Sequence, residues 1–451
     1  MSPKLQPVRG THDILPDEFE KFHAVVTRAR ELATLYGFKE MATPIFEPTE
    51  VFSRSMGETS DVVSKEMFSF ETKGGESVTL RPEFTAGIVR AFLSNGMQQY
   101  LPLKLFSTGP LFRYERPQKG RQRQFHQVNF EWLGDASLNA DLELICLAGH
   151  LLYTLSGRQA CTLLINTLGD SECRAKYKDA LVAYLSPYSK ELSDDSQRRL
   201  ISNPLRILDS KSEQDKKLLE NAPVINEYLS VAERERFEIT VSALRNKDVP
   251  FFQKVIPTPS LVRGLDYYTG TVFEFISESG DLGAQNTVLA GGRYDGLVEQ
   301  MGGKLTPAIG FAAGVERLLL LMDQWAISKD IKVVLLPLED INPDAILLLS
   351  AGLRNHFLGL QINMKQQATV EVFWQGNLKK RMERASQQKA SHVIIFGEEE
   401  AKRDACTVRN METRQQQEIK IDDLFVAEKL RQLFGFDKLT TGFRRNDEAQ
   451  S

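Results

Sequence analysis

The sequence predicts an α+β protein in which an antiparallel-sheet domain is interrupted by a helical insertion and followed by a small α/β domain. Three observations carry this reading. Leu111 to Gly134 shows the two-residue alternation of an antiparallel hairpin joined by a long basic loop. From Ser171 to about Val255 charges dominate, and Pro187, Pro204, Pro223 and Pro250 break the helical patterns. From Lys332 onward, short strand-like and helix-like runs alternate over about a hundred residues.

Arg9 to Asp13 lead into Pro16, Asp17 and Glu18, a proline and two acids suited to a helix's first turn. Phe19, Phe22, Val26, Ala29, Ala33 and Tyr36 then recur at helical spacing until Gly37 ends the helix, so one face is buried. Phe38 to Val51 alternates loosely but contains Pro44 and Pro48, which assigns it to an edge strand, a place that also suits pairing with a second copy of the chain. Val78 to Arg81 reads as a strand leading through Pro82 and Glu83 into a helix marked by Ala86, Val89, Ala91 and Leu93. Glu83 is favoured in that first turn by the helix dipole alone. Together with Thr85 it equally suits a bound ammonium.

In the hairpin, Phe125 to Leu133 sets His126, Val128, Phe130 and Trp132 on one face and Gln127, Asn129 and Glu131 on the other, with Phe125 and Leu133. In the first arm, Leu111 to Glu115, Phe112 and Tyr114 alternate against Arg113 and Glu115. A wet polar face is the plain explanation of such alternation. These residues, however, are suited to fixed, directional hydrogen bonds. Arg116, Lys119, Arg121 and Arg123 crowd the loop of a chain whose formal net charge is -4, which points to phosphate.

Asp141 to Leu155 is apolar on nearly all sides and reads as a buried helix, and Leu163 to Leu168 as a strand. Beyond the insertion, LVRGLDYYTGTVFEF from Leu261 predicts a second hairpin. Arg263, beside Gly264 and Gly270, is costly to bury unless Asp266 or an anionic ligand pairs with it. The strand Val288 to Ala290 ends in Gly291 and Gly292, which permit close approach, followed by Arg293, Tyr294 and Asp295. Thr306 to Met322 reads as strand, glycine turn and helix; Arg317 either snorkels from that helix or covers a flat ligand and its phosphate. After a boundary at Ser328 to Asp330, elements are expected at Val333 to Leu336, Ala345 to Phe357, Leu378 to Lys389, Val393 to Phe396, Cys406 to Val408, Ile419 to Ile421 and Leu424 to Phe434. Gly376 to Arg381 is a basic helix start, compatible with a phosphate backbone or with plain solvation, and Lys438 to Ser451 is a polar tail.

The 451 residues suffice for two or three domains, and 42% hydrophobic with 26% charged residues is a globular composition. A sequence pI of about 6.0 gives no overall attraction to polyanions, so any such partner needs local basic patches. The four cysteines are scattered, which indicates neither zinc nor disulfides and fits a reducing compartment. No signal peptide or membrane span is expected, and the expected location is cytoplasmic. Neither a phosphate-binding G-x-x-x-x-G-K loop, a G-x-G-x-x-G fingerprint nor an H-E-x-x-H metal motif occurs. Arginines and carboxylates on a sheet remain, which points to catalysis by positioning and charge stabilisation.

These stretches resemble the motifs of the bacterial histidyl-tRNA synthetases, a family of class II aminoacyl-tRNA synthetases. FRYERPQKGRQRQFHQ is similar to the second class motif, AIGFAAGVERLLLLM to the third and the region around Pro44 to the first. RGLDYYTGTVFEF and AGGRYDG resemble the two signatures of the histidine enzymes, and RGTHDILP and the carboxyl-terminal unit fit as well, so the likeness spans nearly the whole chain. It implies a dimeric class II catalytic domain in residues 1–170 and 257–327, an insertion at 171–256 that approaches the acceptor stem, an anticodon-binding α/β domain at 331–436 and a tail at 437–451. The implied reaction activates L-histidine with ATP, accompanied by Mg2+, and transfers it to the 3' end of tRNA(His); no protein metal motif is implied.

On the matching positions the resemblance implies that Arg113 holds the ATP α-phosphate with Glu115 beside it, Arg121 the γ-phosphate, and Arg317 the adenine face and γ-phosphate. Arg263 is implied as the α-phosphate cation, and Arg113 and Arg263 as the catalytic pair. Glu83, Thr85, Gln127 and Glu131, with Arg263, would take the substrate's amine and carboxylate side, and Tyr268 and Tyr294 its imidazole. Gln118 and Lys119 would meet the tRNA end, Gln118 at the position that reads the extra 5' guanosine. Two residues depart from the family pattern: Phe84 stands where many members have glycine, and Gly270 where a basic residue is frequent. The alternative is the non-catalytic, histidine-sensing paralogue that regulates ATP phosphoribosyltransferase. That paralogue would lose the ATP arginines and usually the anticodon domain, whereas Arg113, Arg121, Arg263, Arg317 and the carboxyl-terminal unit are all present.

Overall fold

The computed structural model describes residues 5–57, 62–117, 120–156, 161–246, 250–277, 286–321, 331–338, 341–363 and 368–434. Gln118, Lys119, the polar tail and the boundary at Ser328 to Asp330 lie outside them. Two compact units divide the chain, Met1–Trp325 and Ala326–Ser451.

The first unit opens with α1 (Pro16–Leu35), which has Asp17 and Glu18 in its first turn and buries Val25, Val26, Ala29, Leu32 and Ala33. Then come β1 (Lys39–Glu40), β2 (Phe46–Pro48), α2 (Thr49–Met56), β3 (Phe68–Glu71), β4 (Ser77–Leu80), α3 (Thr85–Ser94), β5 (Leu103–Phe112), β6 (Gln124–Leu133), α4 (Leu138–Leu155) and β7 (Cys161–Thr167). The stretch Phe38 to Val51 therefore yields two short strands and a helix start instead of one strand. Both strands lie at sheet edges, where the prolines cost no ladder bond. The first arm of the hairpin runs earlier than its alternation indicates. β5 ends at Phe112, and Arg113 to Glu115 follow it without strand structure. Leu105, Phe106 and Ser107 are buried in succession, so both faces of β5 are covered and no alternation marks it.

The next segment holds α5 (Ser171–Leu185), α6 (Asp194–Ser202), α7 (Glu213–Leu219), α8 (Val231–Leu244) and β8 (Phe252–Pro257). Short 3-10 turns begin at or beside Pro187 and Pro204. The early helices bury their own small clusters, Cys173 and Tyr177 with Ile225, and Leu181 and Leu185 with Ile207. In contrast, α8 sends Phe237, Val241 and Leu244 into the main core, and β8 pairs with β7. The compositional shift thus runs past the point where the chain rejoins the main sheet, because α8 shows its charged side outward.

The unit closes with β9 (Thr269–Ile276), β10 (Thr287–Arg293), α9 (Leu297–Gln300), β11 (Ala308–Gly314) and α10 (Val315–Leu320). Its main sheet has the order β1-β5-β6-β11-β10-β9-β7-β8 and is antiparallel except at its two edge pairings. α1, α4, α8 and α10 cover one face around Phe106, Phe130, Phe273 and Phe311. The other face carries the site, beside α3 and a second core that includes Phe52, Phe84 and Tyr294.

The second unit comprises β12 (Ile331–Pro337), α11 (Pro343–Asn363), β13 (Ala368–Val372), α12 (Leu378–Gln387), β14 (His392–Phe396), α13 (Glu398–Lys402), β15 (Ala405–Asn410), β16 (Gln416–Lys420) and α14 (Ala427–Phe434). Its sheet, β13-β12-β14-β15-β16, is parallel across its first three strands and antiparallel across its last three. Val333 and Leu335 point to one core and Val334 and Leu336 to another, as a strand covered on both faces requires. Among the described residues, no helix is long and apolar enough to cross a membrane.

Candidate active site

The polar side of β6 is dry. Asn129 and Glu131 are both buried, so the alternation read from the sequence belongs to a strand covered on both faces. Register explains how a carboxylate fits there. Glu131 lies opposite Gly310 of β11, and a Cβ at 310 would stand 1.7 Å from Glu131 Oε2. Thr85 Oγ1 donates to Glu131 Oε1 at 2.6 Å and Asn129 Nδ2 donates to the same atom at 3.0 Å. The Tyr294 hydroxyl donates to Oε2. Burial pushes the Glu131 carboxyl up to about 7, against these three hydrogen bonds and with help from the nearby charge of Glu83.

Glu83 accepts from the backbone N–H groups of Thr85, at 2.6 Å, and Ala86, at 2.7 Å, and so caps the start of α3. Burial raises its pKa, while those bonds and the Arg113 charge oppose the rise. It also lines the cavity, so the helix-terminus reading and the site reading apply to one side chain.

A cavity of about 1150 Å³ brings together Glu83, Thr85, Arg113, Glu115, Arg121, Gln127, Glu131, Arg263, Tyr268, Tyr294 and Arg317. Arg113, Arg121 and Arg317 gather around Glu115 at one end, and Arg263 stands between them and Tyr268. Arg113 Nε donates to Pro82 O at 3.0 Å, and its head lies 5.4 Å from the centre of the Phe125 ring. Glu115 pairs with Arg121 at 2.8 Å and stands 3.9 Å from Arg113. Arg317 Nη1 donates to Thr287 O at 2.7 Å and its Nε to Gly120 O at 3.3 Å, so the side chain leans over the basic loop and β10 and does not snorkel. Burial and then the neighbouring Arg121 depress the Arg317 pKa, partly offset by Glu115 and Glu274. Arg263 pairs with Glu274 at 3.5 Å and not with Asp266, and its buried Nε has no hydrogen-bond partner among the described residues. Asp266 instead accepts from Asn203.

The other end is acidic and aromatic. Tyr267 is buried 4.8 Å from Tyr268 and 5.6 Å from Tyr294, centre to centre. Tyr268 is half-buried, while the hydroxyl of Tyr294 is committed to Glu131. Of the two departures from the family pattern, Phe84 is buried beneath the Arg81 head at 4.5 Å, and Gly270 takes a left-handed φ of 55° at the start of β9. Such a backbone disfavours any side chain at 270. Gln118 and Lys119 lie outside the described residues.

Several supporting residues escape a reading by motif. Asp141 of α4, fully buried, accepts from Arg293 Nε at 2.9 Å, Arg236 Nη2 at 3.0 Å and Thr271 Oγ1 at 3.1 Å. The available signal was an acid set among apolar residues near the start of the helix, although Glu143, two residues on, is a second acid there. Glu316 accepts from His126 N at 2.9 Å and contacts His126 Nδ1 at 2.9 Å, tying α10 to β6. Arg81 donates to Pro110 O and Thr43 O and fixes the approach to α3. Chemically, one end of the cavity can neutralise a chain of phosphates, and the other can hold a cation and a polar ring.

Comparison with known proteins agrees. Residues 10–318 match the family described as histidyl-tRNA synthetase, and residues 363–432 the anticodon binding domain. The chain is 48% identical to the histidine–tRNA ligase of Gluconobacter oxydans over 428 residues, covering 93% of this chain and 97% of that one. It is 47% identical to the histidine–tRNA ligase of Wolbachia pipientis wMel, covering 93% and 98%. The solved apo structure of S. aureus histidyl-tRNA synthetase superposes with a TM-score of 0.76 at 32% identity, covering 94% of this chain and 99% of that one.

Proposed function

Because the chain belongs to the histidyl-tRNA synthetase family, we propose that it is a histidine–tRNA ligase using the cavity on the main sheet. The carrying observation is that one cavity joins Arg113, Arg121, Arg263 and Arg317, among other arginines, to a buried carboxylate and tyrosine cluster. A carboxylate oxygen of L-histidine attacks the α-phosphorus of ATP, the bond to pyrophosphate breaks, and histidyl-adenylate remains. Arg113 and Arg263 meet the charge that grows on the α-phosphate, and Arg121, steadied by Glu115, and Arg317 hold the outer phosphates and the adenine face. Glu83, Thr85, Gln127 and Glu131 take the amine and carboxylate side, with Arg263 on the carboxylate. Tyr268 reads the imidazole together with Tyr294, which, its hydroxyl proton given to Glu131, offers only its oxygen as an acceptor, and unpaired polar groups then penalise apolar amino acids. The terminal ribose hydroxyl of tRNA(His) then attacks the acyl carbon and AMP leaves.

Mg2+ would arrive with the nucleotide. Among the described residues no group of three or more His, Cys, Asp or Glu side chains is placed to hold a metal, and Glu115 and Glu274 are carboxylates in the cavity wall beside the arginines. Phosphate oxygens with such carboxylates suit this hard cation, which would supply charge neutralisation. Residues 331–436 would read the anticodon, the part of residues 171–256 that precedes α8 and stands outside the main core would approach the acceptor stem, and Gln118 and Lys119 would meet the tRNA end. We further assign a homodimer in the cytoplasm. The regulatory-paralogue alternative is disfavoured by the four arginines and by the anticodon-domain match.

Purified protein should exchange pyrophosphate into ATP only with L-histidine present, and Arg263→Ala should lose this while staying folded. Histidine-independent exchange would sink the reading, as would none from folded wild-type protein. Replacing Gln118 should slow transfer to tRNA and leave adenylate formation intact.

A further inference from the structure

The segment from Leu261 to Tyr268 carries Arg263 and Tyr268 yet forms neither helix nor strand, so its own ladder does not fix it. Asn166 of β7 donates to Leu261 O at 3.0 Å and Tyr267 packs into the second core, and three side chains from the helical segment hold the loop from the other side. Arg174 of α5 donates through Nη1 to Tyr268 O at 2.5 Å. Arg206, in the 3-10 turn Pro204–Asp209, donates to Gly264 O. Asn203, just after α6, donates through Nδ2 to Asp266 Oδ1 at 2.5 Å. The opposite side of Asp266 is also closed, since a Cβ on Gly57, at φ 77°, would stand 2.8 Å from Asp266 Oδ2.

The three contacts bracket the reactive residues. Gly264 directly follows Arg263, Asp266 lies between Arg263 and Tyr268, and the third contact is to Tyr268 itself. Beside the loop, a second cavity of about 380 Å³ is lined by the same donors and by Asp266, Arg206 standing on the wall of the main cavity as well, so packing alone does not support that side. The hydrogen bonds are what define the loop's position there. Charged donors to carbonyls are among the stronger such bonds, and Arg174, whose pKa burial lowers, has this carbonyl as compensation.

We propose that Arg174, Asn203 and Arg206 are positioning residues for the loop that presents Arg263 and Tyr268 to histidine and the α-phosphate. The proposal rests on the histidine-activation reading. Arg174 and Asn203 lie off the main cavity, and Arg206, on its wall, acts here through its bond to the Gly264 carbonyl; misplacing a cation by an ångström can slow a reaction about a hundredfold.

The test is histidine-dependent ATP–pyrophosphate exchange by the full chain. Asn203→Ala and Arg206→Ala should each raise the KM for histidine and lower kcat, together about tenfold or more in kcat/KM. The KM for ATP should stay within about twofold, because Arg113, Arg121 and Arg317 are anchored elsewhere. Arg206→Lys should recover most activity, since an ammonium also donates to a carbonyl. Asn203→Asp sets two carboxylates together and should be worse than Asn203→Ala, and combining it with Asp266→Asn restores a donor–acceptor pair and should restore the histidine KM. A general loss of packing would not be repaired by that exchange of residues. Thermal melting of every variant identifies any that fails to fold, and the restored pair then decides. Active wild-type protein with indifferent single variants, or no recovery in the folded double variant, overturns this proposal alone. Wild-type protein without histidine-dependent exchange overturns the parent reading as well.

Discussion

Alanine at Gly310 would set a carbon 1.7 Å from Glu131 Oε2, and neither side can yield. Gly310 is paired on both edges of β11, and Glu131 is held by Thr85, Asn129 and Tyr294. Gly310→Ala should abolish histidine activation and cost about 1–3 kcal/mol of stability, read from the urea midpoint. A fully active variant would mean that Glu131 is not held where described. Glu131 also makes a pH prediction. Its folded pKa of about 7 lies above the ordinary 4.5, so between those values the fold holds a proton that the unfolded chain has released. The ionised form is the one the fold penalises, so this group's contribution declines as pH rises through that window and is level above it. Glu131→Gln does not titrate. Whatever the fixed cost of the amide, its stability relative to wild type should therefore improve from pH 4.5 to pH 7, by up to about 3 kcal/mol. A relative stability that stays flat or moves the other way would refute the raised pKa.

At the scale of elements, Asp141 ties α4 to β9, β10 and α8 through Thr271, Arg293 and Arg236. Removing it leaves the buried Arg293 without its principal counter-charge, and Asp141→Ala should cost about 3–5 kcal/mol in urea unfolding. A loss under about 1 kcal/mol would show that Asp295 and the Asp135 and Ser137 carbonyls suffice for Arg293. The same elements show what the sequence can and cannot disclose. The second hairpin arm was legible because its side chains alternate, although both of its faces proved to be covered. β5 was hidden because consecutive buried residues give no period. β13 was missed because Ala368–Val372 is short and mostly half-buried, and β8 because it follows the charged α8. In the site, the arginines and carboxylates stood out as costly groups in apolar company. Their partners did not: Arg263 has a carboxylate three residues along in Asp266, yet the fold of its loop brings it to Glu274 of β9 instead. Three-dimensional neighbours of that kind are set by register and chain crossing, which local spacing does not encode.

At the scale of the whole molecule, every described residue assigned to the adenylation site lies within Met1–Trp325, and Ala326–Ser451 has its own sheet and its own cores. A unit with a separate core can fold alone. The chemistry of the first step also asks nothing of the second unit, since the phosphates, the amine and the imidazole would all meet side chains between Glu83 and Arg317. A chain ending at Trp325 should therefore keep histidine-dependent pyrophosphate exchange within about threefold of the full protein. Transfer to tRNA(His) should fall much further, on the order of a hundredfold in kcat/KM, because two separated contacts with one RNA reinforce each other and one of them is gone. With a formal charge of -4 the chain has no general attraction for RNA to make up the loss. The decisive measurement is both rates on one folded preparation, with circular dichroism as the check on folding. If exchange disappeared along with transfer in folded protein, the second unit would be supporting the adenylation site itself, and the division of labour drawn here would be wrong.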